Sequence, residues 1–343
     1  MPPKAQISRE LGSGRWAAIG LTIAALAGVA AVVVASVRPP APEPADEDPA
    51  RRSRVAAASV SAGRGPAVTK VVPSNRCAKP TPLPGVTRFA VIGDYGHAGP
   101  HEQRVAELVR KLSPEFVITT GDNNYDDGEA TTIDANIGQY YADFICPYVG
   151  RYGPGARENR FFPSLGNHDW NTRSLPYVSY FELPGNERYY DFVWGNVHLF
   201  AIDSDRREPD GIRADSVQAK WLQRRLTASK ARWQIVYFHH PPYSSGSHGS
   251  SVEMRWPYQS WGADLVLAGH DHHYERVELE GLTYIVNGLG GRSIYAIDDP
   301  IPGSVVRYAG DFGAQLIEAS ATRLVSRFYD VRSKLIDERV LGD

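Results

Sequence analysis

The sequence predicts a mixed α/β fold over residues 86–343, a sandwich of two β-sheets with helices on the outside. Three observations carry this. Short apolar runs recur through the stretch, each bounded by glycine or proline and each ending in a residue that can hold a metal. Segments of helical period lie between several of them. A long alternating segment and the C-terminal tail read as antiparallel strands.

The elements follow in chain order. "RFAVIGD" ends at Asp94 and "EFVITTGD" at Asp122; "RFFPSLGN" ends at Asn167, "WQIVYFHH" at His240, and "DLVLAGHDH" at His270 and His272. Runs this short and this apolar suit strands buried on both faces better than helices. "HEQRVAELVRKL" sets Val105, Leu108, Val109 and Leu112 on one helical face, and "SVQAKWLQRRL" does the same with Val217, Trp221 and Leu222. "YYDFVWGNVHLFAID" reads as a hairpin turning at Gly195-Asn196, and Phe312 to Leu341 as three more strands. In such folds ligands gather beyond the C-terminal ends of the strands, where the polar residues stand.

Ahead of this domain the chain changes character. A short segment, 1–15, precedes residues 16–37, "WAAIGLTIAALAGVAAVVVASV", which contain no charge. As a helix this span covers about 33 Å, enough for a hydrocarbon layer of roughly 30 Å. It is expected to be a transmembrane signal anchor, being longer than the usual apolar region of a cleaved signal; cleavage near Ala35 and a secreted product is the alternative. Lys4, Arg9 and Arg15 before the span are nearly balanced by Arg38, Arg51, Arg52 and Arg54 after it; the nearest basic residues favour the N-terminal side, and so an extracytoplasmic domain is expected. Residues 38–85, rich in proline and alanine and without apolar period, read as a tether.

The 343 residues carry a formal net charge of −2, which lacks the basic excess of a nucleic-acid binder. Of ten histidines, His239, His240, His248, His270, His272 and His273 crowd into one stretch. Taken alone, Asp94 in "GDYG" could merely cap a turn, and so could Asp122 in "GDNNY". "GNHD" at 166–169 is sharper, because a plain turn seldom needs both Asn167 and His168. "GHDHH" at 269–273 puts two imidazoles within reach of one point. Five strand ends bearing Asp, Asp, Asn, His and His-x-His are hard to assign to turns alone. Together they supply the oxygen and nitrogen donors suited to two cations. With no cysteine among them, a structural zinc site is disfavoured. Two cations some 3.5–4 Å apart suit phosphate-ester hydrolysis, since they lower the pKa of water and clamp the attacking and leaving oxygens.

In that order "GDYG", "GDNNY", "GNHD", "HHPPY" and "GHDHHYER" resemble the five blocks of the calcineurin-like metallophosphoesterases. The tyrosine block points to their purple acid phosphatase branch, and the likeness runs over roughly residues 87–340. It implies the αββα fold and a binuclear hydrolase that cleaves phosphomonoesters by in-line attack of a metal-bound hydroxide. Carried over by motif, Asp94, Asp122, Tyr125 and His272 would hold a ferric ion. Asp122 would bridge to a divalent ion (Fe, Zn or Mn) on Asn167, His240 and His270. The family's ligand stands just before x-Pro, which selects His240 and leaves His239 to pack on its strand. His168 would face the phosphate ester and protonate its leaving oxygen, with Asp169 orienting it. His248 resembles a substrate-side histidine of the small members, one residue closer to His240 than there. His97 has no counterpart in the pattern and is the further candidate for the substrate rim.

Departures remain. The 38–85 segment is too poor in apolar runs to be the N-terminal β-domain of the large plant-type members, yet "HHYER" resembles their ending. The blocks fix the metals and not the leaving group, so a phosphodiesterase or nucleotide hydrolase stays open. A non-catalytic metal-binding or interaction domain is the reading from another class; the complete ligand set counts against it. Cys77 and Cys146 both fall in the part expected to be exported, where a disulfide is permitted and would fasten the tether to the domain.

Overall fold

The buried runs become strands, and the way they pair explains why their ends meet. A computed structural model describes residues 77–343. The expected segments 1–15 and 16–37, and the tether as far as residue 76, lie outside the described residues. Among the described residues no helix is long and apolar enough to cross a membrane.

One sheet has six strands. β1 (Thr87–Ile92), β2 (Phe116–Thr119) and β3 (Phe161–Pro163) run parallel, and β11 (Gly313–Ala319), β12 (Arg323–Asp330) and β13 (Leu335–Gly342) continue it antiparallel beyond β1. The other has seven, in the order β10-β8-β9-β7-β6-β5-β4. Here β5 (Val197–Ala201), β6 (Trp233–Tyr237), β7 (Leu265–Ala268) and β9 (Leu282–Asn287) are parallel. β4 (Tyr190–Trp194) forms the expected hairpin with β5, and β8 (Tyr274–Leu279) and β10 (Ser304–Tyr308) lie antiparallel at the far edge. Parallel neighbours need a crossover. The helix Pro100–Leu112 supplies it between β1 and β2, and the helix Val217–Ala228 between β5 and β6.

The two faces of a strand go to two cores. Ile235 and Tyr237 of β6 and Leu265 and Leu267 of β7 join Phe89, Val91, Ile118 and Phe162 in the core between the sheets. Val236, Phe238 and Val266 turn the other way, onto Ala219, Leu222 and Leu226 of the crossover helix. Burial on both faces is why these strands read as unbroken apolar runs. The helix itself departs from expectation at Val217, which is 59% exposed. The inner stripe runs through Ala219, Leu222 and Leu226, and the neighbouring Gln218 is buried instead, its amide exchanging hydrogen bonds with the Asp203 backbone at 2.7 and 2.9 Å.

Cys77 and Cys146 are bridged. In the chain-entropy account, closing a loop with a sequence separation of 69 stabilises by roughly 4 kcal/mol. The bridge fixes the start of the described chain against the domain, beside a bridge pairing of Ala78 with Glu158.

Candidate metal centre

Three of the site residues lead their loops in the left-handed region: Asp94 at φ 56°, Asp122 at 51° and His270 at 70°. Asp and His tolerate that region better than most, at a cost on the order of 1 kcal/mol each, and such outliers gather at functional sites. The glycines of the blocks are there for space. A Cβ on Gly121, itself at φ +91°, would come within 2.7–2.8 Å of the His239 ring. One on Gly166 would meet the Asp122 carboxylate at 2.2 Å.

Two groups of ligand-type atoms share Asp122. In the first, Tyr125 Oη lies 2.9 Å from Asp122 Oδ2, 3.2 Å from Asp94 Oδ1 and 3.3 Å from His272 Nε2. His272 Nε2 is also 3.3 Å from Asp94 Oδ1. In the second, His239 Nε2 lies 3.3 Å from Asp122 Oδ2, 3.0 Å from Asn167 Oδ1 and 3.1 Å from His270 Nδ1. Asp94, Asp122, Tyr125, His239 and His272 are all buried.

The histidine pair is where structure and expectation part. His239 does not pack idly on its strand: its Nδ1 sits 2.8 Å from the Thr120 carbonyl. A carbonyl can only accept, so Nδ1 carries a proton and Nε2 is the atom that faces Asp122, Asn167 and His270. His240 stands beside this group, its ring 4.5 Å from that of His270, but its Nδ1 is engaged with Ser204 Oγ at 2.9 Å. The geometry therefore adds His239 to the set beside His240: ligand nitrogens of His239, His240 and His270 all lie within 4.8 Å of one another.

Both groups fit cations. Burial would lower the His239 pKa, yet Asp122 and Asp94 outweigh it and raise it to about 10. The cluster calls for positive charge. Burial holds Tyr125 well above the usual phenol range, and the Asp122 and Asp94 carboxylates push it further. Only a strongly charged cation would make it a phenolate. Burial and the adjoining His239 lower His240 to about 3, so it stays neutral.

The remaining candidates take separate places. His168, half-buried, turns Nδ1 to the Asp126 carbonyl and leaves Nε2 3.9 Å from Asp122 Oδ2. Asp169 does not orient it. The Asp169 carboxylate points inward and accepts from Asn123 Nδ2 at 2.8 Å and the Gly166 N–H at 2.9 Å, tying two site loops together. His248 stacks on His270 with ring centres 4.3 Å apart. Its N–H donates to Asp271, the residue between His270 and His272. His97 is exposed at the surface; partial desolvation and the nearby Arg292 lower its pKa, against the opposing pull of Asp126.

The sequence reading passed over the segment after β9. There Ser293 Oγ meets His272 Nδ1 at 2.7 Å, Tyr295 stacks on the His272 ring at 4.1 Å, and Arg292 lies over Tyr125. The signal for it was "LEGLT": Glu280 and Gly281 both take positive φ, the two-residue hairpin turn that joins β8 to β9 and brings the chain back to the site.

Comparison with known proteins agrees with this geometry. The sequence profile described as calcineurin-like phosphoesterase matches residues 87–274, which hold every ligand candidate from Asp94 to His272. Purple acid phosphatase 17 of Arabidopsis thaliana is 27% identical over 267 residues, covering 66% of this chain and 75% of that protein. Human tartrate-resistant acid phosphatase type 5 is 25% identical over 241 residues, 59% of this chain and 72% of its own length. Among solved structures, GAP50, the anchor in the inner membrane complex of Plasmodium, superposes with a TM-score of 0.60 at 18% identity. The match covers 75% of this chain and 89% of that one, and at this identity it speaks for the fold alone. With the profile spanning over half the chain and two donor groups meeting on one aspartate, the chain belongs to the calcineurin-like phosphoesterases, in their purple acid phosphatase branch.

Proposed function

We propose that this chain is a metal-dependent phosphatase that hydrolyses phosphomonoesters at a binuclear centre. One observation carries the reading: two sets of ligand atoms, Asp94–Asp122–Tyr125–His272 and Asp122–Asn167–His239–His270, converge on a shared carboxylate. A ferric ion in the first set, with its phenol, and a divalent ion (Fe, Zn or Mn) in the second suit the donors. Bound there, the pair would supply a nucleophile at neutral pH and neutralise the phosphoryl oxygens.

The chain's own residues do the rest. Thr120, Ser293 and Ser204 fix the rings of His239, His272 and His240, which sets which nitrogen faces the site. Asp169 holds the "GDNNY" and "GNHD" loops in register. His168, steadied at Nδ1 by Asp126, presents Nε2 to the leaving oxygen and donates its proton there. His248, over His270, and His97 on the rim complete the walls that meet substrate.

The test is colour and turnover together. The oxidised protein is expected to be violet to pink through charge transfer from Tyr125, and to cleave an aryl phosphate faster than a bis-aryl phosphate. Tyr125→Phe is expected to be colourless and to bind ferric iron less well. A Phe variant that keeps its colour would take the tyrosine out of the site, and faster cleavage of the diester would favour a phosphodiesterase.

For location, we propose a single-pass anchor at 16–37 with the catalytic domain outside the cytoplasm. The uncharged span and the disulfide, which persists in oxidising compartments, support it. The full-length protein should then resist carbonate extraction from membranes. A mature form starting between Ala35 and Pro40 would show a cleaved signal and a secreted product instead.

A further inference from the structure

Arg292 comes into the site on the backbone of the metal centre. Its N–H donates to the Asp94 carbonyl at 3.1 Å, so its position is tied to that of a ligand residue. The guanidinium carbon lies 5.2 Å from the centre of the Tyr125 ring, and Nη2 donates to Asp126 Oδ1 at 3.0 Å. Asp126 is the residue whose carbonyl steadies His168 Nδ1. One aspartate thus holds the proposed proton donor with its backbone and the arginine with its side chain. That places Arg292 on the side from which the leaving group departs.

We propose that Arg292 is a specificity-determining residue that reads negative charge on the leaving group. Resting on the phosphatase reading above, it favours esters and anhydrides whose departing portion itself carries a phosphate. The ionic partner does not block this. The Asp126 side chain is 67% exposed, and pairs so open to water hold each other weakly. The guanidinium has five N–H donors in a planar fork suited to an oxyanion. Its contact with the Tyr125 ring consumes none of those donors. For a diphosphate, water oxygen forms a bond to the terminal phosphorus, giving up one proton to solvent, and the bond to the bridging oxygen breaks. The departing phosphate keeps the electron pair, takes a proton from His168 Nε2 and leaves from beside Arg292. Two orthophosphates result, with no change of oxidation state.

Arg292→Ala, made in the full chain, separates this from a packing role. The ratio of kcat/KM for pyrophosphate to that for phenyl phosphate is expected to fall roughly ten- to a hundredfold, the effect of losing a hydrogen bond to a charged group. Arg292→Lys should recover part of the ratio, since it returns the charge without the fork. Calorimetric binding of pyrophosphate and of orthophosphate reads the same preference without turnover. A preference lost in the variant supports the proposal. An equal loss for both anions, or an unchanged ratio, overturns it and leaves Arg292 as a prop for Tyr125. If the wild-type protein binds pyrophosphate preferentially but cleaves neither pyrophosphate nor phenyl phosphate, the phosphatase reading fails while the anion site stands.

Discussion

Replacing His239 with alanine is expected to empty one half of the metal centre and to lower turnover by about 10³-fold. A cation at a reacting phosphate contributes several kcal/mol of charge stabilisation, and each 1.36 kcal/mol is a factor of ten. His239 Nε2 is within 3.3 Å of Asp122, Asn167 and His270, so its loss removes the nitrogen around which the second set is built. The side chain is also wholly buried against Gly121, and the variant leaves a hole. His239→Gln controls for that by keeping volume and hydrogen bonding to Thr120. Metal content by elemental analysis should drop from two ions toward one in both variants. His240→Ala should keep both ions and lose far less activity. If His240→Ala loses the metal while His239→Ala retains it, the assignment drawn from the geometry is reversed.

The inward position of His239 was legible in the sequence, by a rule other than distance to proline. Position before proline selects ambiguously in "HHPPY", because Pro241 and Pro242 each satisfy it for a different histidine. Strand parity does not. Ile235 and Tyr237 face the core between the sheets while Val236 and Phe238 face the helix. The ladder continues past β6, with the Phe238 N–H on the Leu267 carbonyl and the Gly269 N–H on that of His239. Period two therefore carries His239 inward and His240 outward. Asp169 fails for a related reason. It lies in the helical turn Asn167–Trp170, where successive side chains diverge by about 100°, so adjacency to His168 means they point apart.

The strands bearing the blocks could be read because burial on both faces leaves no room for polar residues until the chain leaves the sheet. The Asp, Asn and His that follow are then conspicuous. β8 and the edge strand β10 beside it carry mixed patterns, since each is only partly covered. The loop between β9 and β10 that brings Arg292 through Tyr295 to the site follows from topology: β9 lies beside β7, so the segment leaving β9 passes over the histidines that follow β7. No local pattern announces a neighbour made by pairing distant strands.

His168→Asn is expected to leave both metals in place and to lower kcat by about 10²–10⁴, the range for a lost acid–base group. The ring touches the centre without belonging to it: Nε2 is 3.9 Å from Asp122 Oδ2, beyond hydrogen-bond reach, and Nδ1 is spent on the Asp126 carbonyl. The backbone bond from the His168 N–H to Asp122 Oδ1, at 3.0 Å, survives the change, so Asp122 keeps its orientation. Asparagine can imitate the bond to Asp126 but cannot deliver a proton. The deficit should therefore depend on the leaving group. An alkoxide departs poorly unless protonated and should show the full loss, whereas nitrophenolate departs unaided and should show little. Rates for a series of aryl and alkyl phosphates, plotted against leaving-group pKa, should steepen in the variant relative to the parent protein. If all substrates lose the same factor, the imidazole binds the phosphoryl oxygens and the proton comes from elsewhere. Solvent or His248, stacked on His270 across the same site, would then be the group to test.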